Sequence, residues 1–215
     1  MHAMTAVLLS SFLATTLNAQ EHDHSMAIEG GGKFPPGWMV RTDENAPAAT
    51  VKFEAMPPGW HVTTGSSTII YRPIDQAKTQ YSVRSQMHLF PSKGSHEEAF
   101  GLFIGGQNLD GAGERYTYFL IRGDGTFKVK RRNGAETSDL TKDWTPSPVV
   151  KMVSSDGSVA NNLALQVVKG KVSFLVNGQV VYSVAADSVD TDGIVGLRMN
   201  HNLSVHVENL DIGRM

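Results

Sequence analysis

Cysteine is absent from this chain of 215 residues, and its absence excludes disulfide bonds, thiolate metal ligands and cysteine nucleophiles. An excess of charge is lacking too, since 19 Lys and Arg against 21 Asp and Glu give a formal net charge of -2. Proteins that bind nucleic acids usually carry a basic excess, so we expect no nucleic-acid partner. Because 40% of the residues are hydrophobic, the chain can bury a core, and that core must stabilise it without disulfides.

Long apolar runs are scarce, and the one near the N-terminus is short. Residues 5–17 are apolar or small, and no charged side chain precedes Glu21. This length is typical of the apolar part of a signal peptide rather than of a membrane span. We therefore predict a signal peptide over residues 1–19, a secreted or periplasmic location, and no integral membrane segment in the mature chain. A buried N-terminal helix is the alternative.

Helical periodicity is lacking along the rest of the chain, where apolar and polar residues alternate instead. Such alternation places successive side chains on opposite faces and is typical of half-buried strands. Asn177-Gly178 is the strongest hairpin signal, because both central positions of a type I′ turn need positive φ. Only residues 75–78 and 96–99 favour a brief helix. The predicted strands cover residues 51–55, 60–64, 67–72, 79–90, 98–107, 115–123, 126–132, 162–169, 171–177, 179–184, 194–200 and 203–212.

This many short strands predict an all-β sandwich, which we assign to one domain over residues 34–215. Residues 20–33 carry two histidines, His22 and His24, and three consecutive glycines. They indicate a flexible entry segment. The motif Pro-Pro-Gly-Trp occurs twice, ending at Trp38 and Trp60. Two copies are too few for a solenoid, so we expect two rigid turns that each bring a Trp to the start of a strand.

The last third of the chain resembles a known superfamily. Residues 170–182 predict two strands around an Asn-Gly turn, residues 192–201 read Asp-Gly-Ile-Val-Gly-Leu-Arg-Met-Asn-His, and residues 203–212 alternate again. This order resembles the C-terminal half of concanavalin A-like jelly rolls, including the laminin-G-like and glucanase-like sandwiches. The resemblance implies two antiparallel sheets, one of them concave, and a glycan or oligosaccharide as the first partner to consider.

A sugar-binding face combines an aromatic platform with planar hydrogen-bonding groups. The strand at 79–90 presents such groups on one face, and the resemblance implies that it belongs to the concave sheet. Neighbouring strands add aromatic, guanidinium and amide groups. We predict a non-catalytic ligand-binding site formed by Arg84, Gln86, His88, Phe103, Tyr118, Arg122, Arg198 and Asn200. The alternative is an ordinary polar strand face, in which Gly101 and Gly105 serve close packing.

Hydrolysis of a glycosidic bond needs two carboxylic acids. The related family 16 glycoside hydrolases carry them as Glu-x-Asp-x-x-Glu on one strand, and this pattern is missing here. A second related family, the bacterial 3-keto-disaccharide hydrolases, has a similar closing Asp-Gly-x-x-Gly-Leu-Arg stretch. A hydrolase of that type is therefore the alternative function, and a structural envelope module without a small ligand is a second alternative. The acids of such an enzyme would come from loops: Glu97, Glu98, Asp110 or Glu114.

Acidic loops also raise the question of a metal, and calcium is the ion that oxygen ligands favour. Candidate ligands lie in several turns, and a structural calcium ion stays an open alternative to turns formed for conformational reasons alone. We expect no other cofactor, and the spacing of His61, His88, His201 and His206 does not indicate zinc. The candidate calcium ligands are Asp110, Glu114, Asp124, Asp187, Asp190 and Asp192.

One basic run stands out, at Lys128, Lys130, Arg131 and Arg132. The following Asn133-Gly134 places it near a hairpin tip. Charged residues at a sheet edge prevent edge-to-edge pairing, and this explains the run. A site for an anionic glycan is the alternative.

Overall fold

The computed structural model describes residues 28–91, 98–155 and 157–215. Within these ranges it contains sixteen β-strands and three short 3-10 turns, at Asp43–Asn45, Ala48–Thr50 and Ala186–Ser188. In the same ranges, no helix has the length and apolar character needed to cross a membrane. The strands are β1 (Met39–Thr42), β2 (Val51–Ala55), β3 (Trp60–Thr64), β4 (Thr68–Ala77), β5 (Tyr81–Leu89), β6 (Ala99–Gln107), β7 (Arg115–Arg122), β8 (Thr126–Asn133), β9 (Glu136–Asp139), β10 (Thr145–Pro146), β11 (Val159–Val168), β12 (Lys171–Val176), β13 (Gln179–Ala185), β14 (Gly193–Met199), β15 (Leu203–Val207) and β16 (Asp211–Arg214).

The strands form two sheets of eight, and every strand pair in them is antiparallel. Sheet I has the order β1-β4-β14-β6-β7-β8-β10, with β9 paired to β8. Sheet II has the order β13-β12-β11-β5-β15-β3-β2, with β16 paired to β5. The predicted all-β sandwich of two antiparallel sheets is confirmed.

The main core lies between the two sheets. It forms because alternate residues of each strand point inward, so that Phe119 of sheet I meets Phe174 of sheet II with ring centroids 5.5 Å apart. Both rings are fully buried. Burial of such large side chains stabilises the fold by roughly 1.5–3 kcal/mol each.

Sheet I is also covered on its outer face, by a second buried cluster. Tyr71, Phe103, Tyr116 and Tyr118 belong to this cluster and are at most 4% exposed. Burial on both faces explains why β6 is an almost continuous apolar run, since a strand that faces water on one side would alternate. The outer face of sheet II carries polar side chains between the core positions of β5, as alternation predicts.

Most predicted strands are present, and the differences concern their ends and a few short strands. Strand β1 begins directly after Trp38, where a strand start was expected without a range; β9 and β10 were not predicted, and the segment at 203–212 is divided into β15 and β16. The helical expectation for residues 75–78 is wrong, because β4 continues to Ala77, where it pairs with Gly193 of β14. At 96–99, Ala99 begins β6 rather than a helix, and residues 96–97 lie outside the described ranges.

The two Pro-Pro-Gly-Trp motifs bring their tryptophans together. The rings of Trp38 and Trp60 lie edge to face with centroids 5.3 Å apart. The last part of the predicted entry segment is also attached to the fold, since the backbone N–H of Gly32 donates to the carbonyl of Val51. The predicted signal peptide and residues 20–27 lie outside the described ranges.

Candidate functional site

A groove of about 420 Å³ lies on the outer face of sheet I, and we call it the sheet I groove. Strands β7, β8 and β14 line it, together with the turn that contains Asp43 and the loop that contains Trp144. Its aromatic side chains are Tyr118 and Trp144, and its charged side chains are Asp43, Arg122, Lys128, Lys130, Arg132 and Arg198, with His201 beside them.

Strand alternation explains why these side chains face the groove. Phe119 and Ile121 of β7 point into the main core, so Tyr118 and Arg122 point outward. Register then places Lys130 of β8 opposite Tyr118. On β6 the residue at the level of Arg198 is a glycine, Gly101.

Gly101 permits a close approach of strands β6 and β7. A Cβ atom at Gly101 would lie only 2.0 Å from the carbonyl oxygen of Phe119. This supports the reading in which the glycines of β6 serve close packing. It also leaves the floor of the groove without a side chain beside Arg198.

The Arg198–Asp43 pair is the most constrained charged pair of the groove. Nη1 of Arg198 donates to Oδ1 of Asp43 at 2.8 Å, and Nη2 donates to Oδ2 at 2.6 Å. Only 8% of the Arg198 side chain is exposed, and its Cζ lies 5.8 Å from the ring centroid of Tyr118. Bidentate pairing of this kind fixes both planar groups and leaves further donors available.

Burial and neighbouring charges shift the pKa values of Asp43 and Arg198 in opposite directions. Burial alone raises the pKa of Asp43, but the hydrogen bonds and charge of Arg198, with Arg132 and Arg41, outweigh it and hold that pKa below its ordinary value of 3.8. Burial lowers the pKa of Arg198, whereas Tyr116, Tyr118 and Asp43 raise it, and the net shift is upward. Both groups are therefore ionised at neutral pH.

The two tyrosines beside Arg198 remain protonated. Burial raises the pKa of Tyr116 to about 12 against the opposing charge of Arg198, and burial likewise raises the pKa of Tyr118. Their rings lie 5.4 Å apart. Neutral phenols can both donate and accept hydrogen bonds, as sugar hydroxyls require.

Arg122 lies over the ring of Trp144. Its guanidinium Cζ is 3.6 Å from the centroid of the indole ring, and Nζ of Lys128 is 5.7 Å from the same ring. Trp144 is half-buried and packs on the second cluster. The indole ring is therefore not a freely exposed platform for a ligand, because the guanidinium of Arg122 covers part of it.

The far side of the groove is basic and partly compensated. Lys128 and Lys130 share Asp139, with N–O distances of 2.7 and 3.4 Å. Burial raises the pKa of Asp139, but these two lysines hold it below its ordinary value. Nη2 of Arg132 lies 3.0 Å from the buried carboxylate of Glu114.

The structure brings four of the eight predicted site residues together, since Tyr118, Arg122, Arg198 and Asn200 all line the sheet I groove. Phe103 belongs to the same face, but it is wrong as a platform because its ring is fully buried beneath the second cluster. Asp43 and Trp144 were not among the predicted ligand-binding residues, and Lys128 was named only in the alternative that interprets the basic run as a site for an anionic glycan. The position of Asp43 in a short turn gave no signal in the sequence.

The remaining three predicted residues, Arg84, Gln86 and His88, lie on the other sheet. The prediction of one common surface is wrong for them, because their strand β5 pairs with β11 and β15 in sheet II. There Oε1 of Glu208 accepts a hydrogen bond from Gln86 at 2.6 Å and lies 2.8 Å from Nε2 of His88.

Within this polar cluster on sheet II, the pKa of Glu208 is shifted by its neighbours. The hydrogen bond to His88 is the largest cause that holds the pKa of Glu208 below its ordinary value, against the effect of burial. Arg84 is 71% exposed and lies 3.5 Å from Asp211. Arg84 and Gln86 also line a wide open depression of about 740 Å³, whose surroundings are amides and carboxylates rather than aromatic rings.

Sheet II also carries a row of histidines that spacing in the sequence did not reveal. Register places His206 of β15 directly opposite His61 of β3 and His88 of β5. Burial is the largest cause that lowers the pKa of His61. In the part of the chain that the structure describes, no group of three or more His, Asp or Glu side chains is placed to hold a metal ion.

Several of the candidate acids have other partners. Asp190 lies 2.8 Å from Arg131, Oδ1 of Asp192 accepts the backbone N–H of Thr79, and Glu114 bridges two arginines. Glu98 lies 3.0 Å from His201 at one end of the groove. Glu97 lies outside the described ranges.

No protein-family model matches this chain, and no curated protein matches its sequence. Solved structures do match its fold. The carbohydrate-binding module CBM66 from Bacillus subtilis has a TM-score of 0.59 at 13% identity and covers 82% of this chain and 95% of the module. A β-glucanase from Bacillus licheniformis has a TM-score of 0.59 at 9% identity over 86% of this chain and 95% of the enzyme.

A third similar structure is a Bacillus subtilis protein of unknown function with a galectin-like fold, with a TM-score of 0.56 at 12% identity over 82% of this chain and 89% of that one. Identities this low establish the fold alone. The chain has the concanavalin A-like jelly-roll fold, as its C-terminal motifs predicted. Carbohydrate-binding proteins and glycoside hydrolases are both found among the structures that share it.

Proposed function

We propose that this protein is an exported glycan-binding module and that the sheet I groove is its binding site. The Arg198–Asp43 pair carries the proposal, because it is a buried, bidentate pair that opens onto a groove. A sugar hydroxyl is both donor and acceptor, so it needs partners of both kinds held in fixed positions.

The groove still has donors to offer. Within the described residues, the Nε atoms of Arg122, Arg132 and Arg198 are buried and have no hydrogen-bond partner. Since these Nε atoms are covered by the protein, a ligand in the groove would reach the terminal nitrogen atoms of the same guanidinium groups, which line it. Tyr118 adds a neutral phenol at the same place.

Binding is better supported than hydrolysis. Among the described residues that line the groove, Asp43 is the one carboxylate, and Arg198 keeps it ionised. A glycosidase needs a second carboxyl group that can donate a proton. The similarity in fold to a carbohydrate-binding module and to a glucanase agrees with a saccharide ligand and supports both classes equally.

A hydrolase of the 3-keto-disaccharide type is the second candidate, and the Glu98–His201 pair is the observation that favours it. The two side chains lie 3.0 Å apart at the end of the groove. Together they would supply an acid and a base beside Asp43. Incubation with an oxidised disaccharide, followed by chromatography of the products, tests this candidate, and products that disappear in Glu98→Gln would support it.

The test of the leading proposal is a glycan-array screen of the purified full-length chain, run with calcium and again with chelator. We expect binding to a defined set of saccharides that Arg198→Met abolishes and Arg84→Gln leaves unchanged. Arg84 is the matched control because it is exposed and lies on the other sheet. Because Arg198→Met removes a buried ion pair, Tyr118→Phe is the second variant, and its far-ultraviolet circular dichroism must match the parent. An array without any specific signal in either condition would overturn the proposal.

A further inference from the structure

We infer that the glycan bound in the sheet I groove is anionic, with carboxylate or sulfate groups, and that Arg122 is the residue that binds its charge. The inference rests on the proposed function of that groove. Five cationic side chains line the groove, whereas Asp43 is the one carboxylate among its described lining residues. The whole chain has a formal net charge of -2, so this concentration of positive charge is local.

The neighbouring carboxylates do not neutralise all five cations. Asp43 compensates Arg198, and Glu114 is divided between Arg132 and Arg41, at 3.0 and 2.9 Å. Asp139 compensates one of two lysines at most. Asp143 lies 3.7 Å from Lys128 but is 81% exposed, so water screens it.

Among the cations of the groove, Arg122 is the one for which the described residues supply no carboxylate partner. Among the described residues, none of its nitrogen atoms makes an ion pair, and its Nε is buried without a hydrogen-bond partner. A half-buried guanidinium in this condition has lost part of its hydration without compensation. An oxyanion on the ligand would supply what is missing.

The contact with Trp144 gives Arg122 the geometry for this task. The Cζ atom of Arg122 lies 3.6 Å from the ring centroid, and this contact restrains the guanidinium while its terminal N–H groups, unlike the buried Nε, remain available to a ligand. A planar fork of this kind pairs bidentately with carboxylate and sulfate groups. Trp144 is then a positioning residue for Arg122.

Lys128 extends the positive surface from Arg122. Its Nζ lies 5.7 Å from the centroid of the same indole ring. On β8, Lys128 is paired with Leu120 of β7. An acidic sugar seated against Trp144 would therefore meet two cations at once. A neutral sugar would bring no charge to Arg122 and would leave Lys128 with only its shared contact to Asp139.

Calorimetric titration of the full-length chain with matched saccharides tests the inference. The probes are trigalacturonate and its methyl ester, a chondroitin sulfate tetrasaccharide and its desulfated form, and an oligothymidylate. We expect at least one of the two acidic saccharides to bind. Binding of trigalacturonate indicates a carboxylate site, whereas loss of binding in desulfated chondroitin, which keeps its uronate carboxylates, indicates a sulfate site. The chosen saccharide should bind at least about tenfold more tightly than its less charged form, as one charge-assisted contact implies. Raising NaCl from about 20 to about 300 mM should weaken it.

Three variants locate the effect. Arg122→Gln should weaken acidic binding by about tenfold or more and leave binding of the methyl ester unchanged. Asp139→Asn frees two lysines and should strengthen acidic binding by about two- to fivefold. Arg84→Gln, which removes the same charge from sheet II, should change nothing.

Equal affinity for trigalacturonate and its uncharged methyl ester, without tighter binding of chondroitin sulfate than of its desulfated form, would overturn this inference while leaving the proposed function intact. The same holds if Arg122→Gln has no effect, or if the oligothymidylate binds as tightly as the acidic saccharide. If no saccharide binds, charged or neutral, and the glycan array is also empty, the proposed function fails together with the inference.

Discussion

Replacing Asp43 by Asn tests the charged centre of the groove directly. The variant keeps the size of the side chain but removes the negative charge that faces Arg198 at 2.6 and 2.8 Å. Breaking a fully buried ion pair costs about 3–5 kcal/mol, because the remaining charge is left without a partner. Asp43 is 28% exposed and Arg198 8% exposed, so water will recover part of that cost.

We therefore expect Asp43→Asn to lower the free energy of unfolding by about 2–4 kcal/mol, out of a total of roughly 5–15 kcal/mol. Urea unfolding followed by tryptophan fluorescence measures it, with an unchanged m-value as the sign that only stability has changed. Asp211→Asn is the matched control, because the Arg84–Asp211 pair is exposed and 3.5 Å long. Its effect should be below about 1 kcal/mol.

The pH dependence gives a second readout for the same pair. The pKa of Asp43 is lower in the folded chain than its ordinary value of 3.8. The contribution of ionised Asp43 to the free energy of unfolding is therefore complete above pH 3.8 and is lost as the pH falls through the pKa of the folded state. Asp43→Asn should remove this part of the acid sensitivity.

A double-mutant cycle with Arg198→Met decides whether the two residues act together. Contacting residues of this kind usually show a coupling energy of about 0.5–3 kcal/mol. The reasoning is refuted if Asp43→Asn costs less than about 0.5 kcal/mol, or if the two single effects add without coupling.

Three other positions give direct tests. Gly101→Ala should destabilise the fold by about 1–3 kcal/mol, because the new Cβ would lie 2.0 Å from the carbonyl oxygen of Phe119; unchanged urea unfolding would contradict this. Asn161→Ala should cost about 1–3 kcal/mol, since its 1% exposed side chain pairs with the backbone N–H and C=O of Lys151; a thermal melt equal to the parent's would exclude that role. Burial lowers the pKa of His61 below 6.5, so the unfolded chain protonates first and stability falls as the pH drops through that value. His61→Gln should reduce this loss, and melts at several pH values that keep the parental slope would speak against it.

Part of the candidate site could be predicted because alternation is a local property. The pattern of β7 places Tyr118 and Arg122 on the face opposite Phe119, and this holds whichever strands are its neighbours. Arg198 was named because the closing Gly-Leu-Arg stretch resembles that of jelly rolls. The prediction for β7 needed only the period of two residues along a strand.

Other parts depended on pairing between distant segments. Arg198 meets Asp43 across 155 residues of chain, and Asp43 lies in a short turn without a recognisable motif. The period of a strand says nothing about which sheet it joins, so residues of β5 were grouped with residues that lie on the other sheet. The histidine row on sheet II shows the same limit, because register alone aligns His61, His206 and His88.

The sequence by itself determined the all-β class, the strand positions, the Asn-Gly hairpin and the outward direction of the groove's β7 residues, because each of these follows from neighbouring residues. The tertiary structure alone decided which strands share a sheet, that Phe103 is covered, and that a guanidinium lies on Trp144 with no acid paired to it in the part of the chain that the structure describes. These are consequences of long-range pairing and packing, and a charge acquires its partner, or lacks one, only when distant strands have come together.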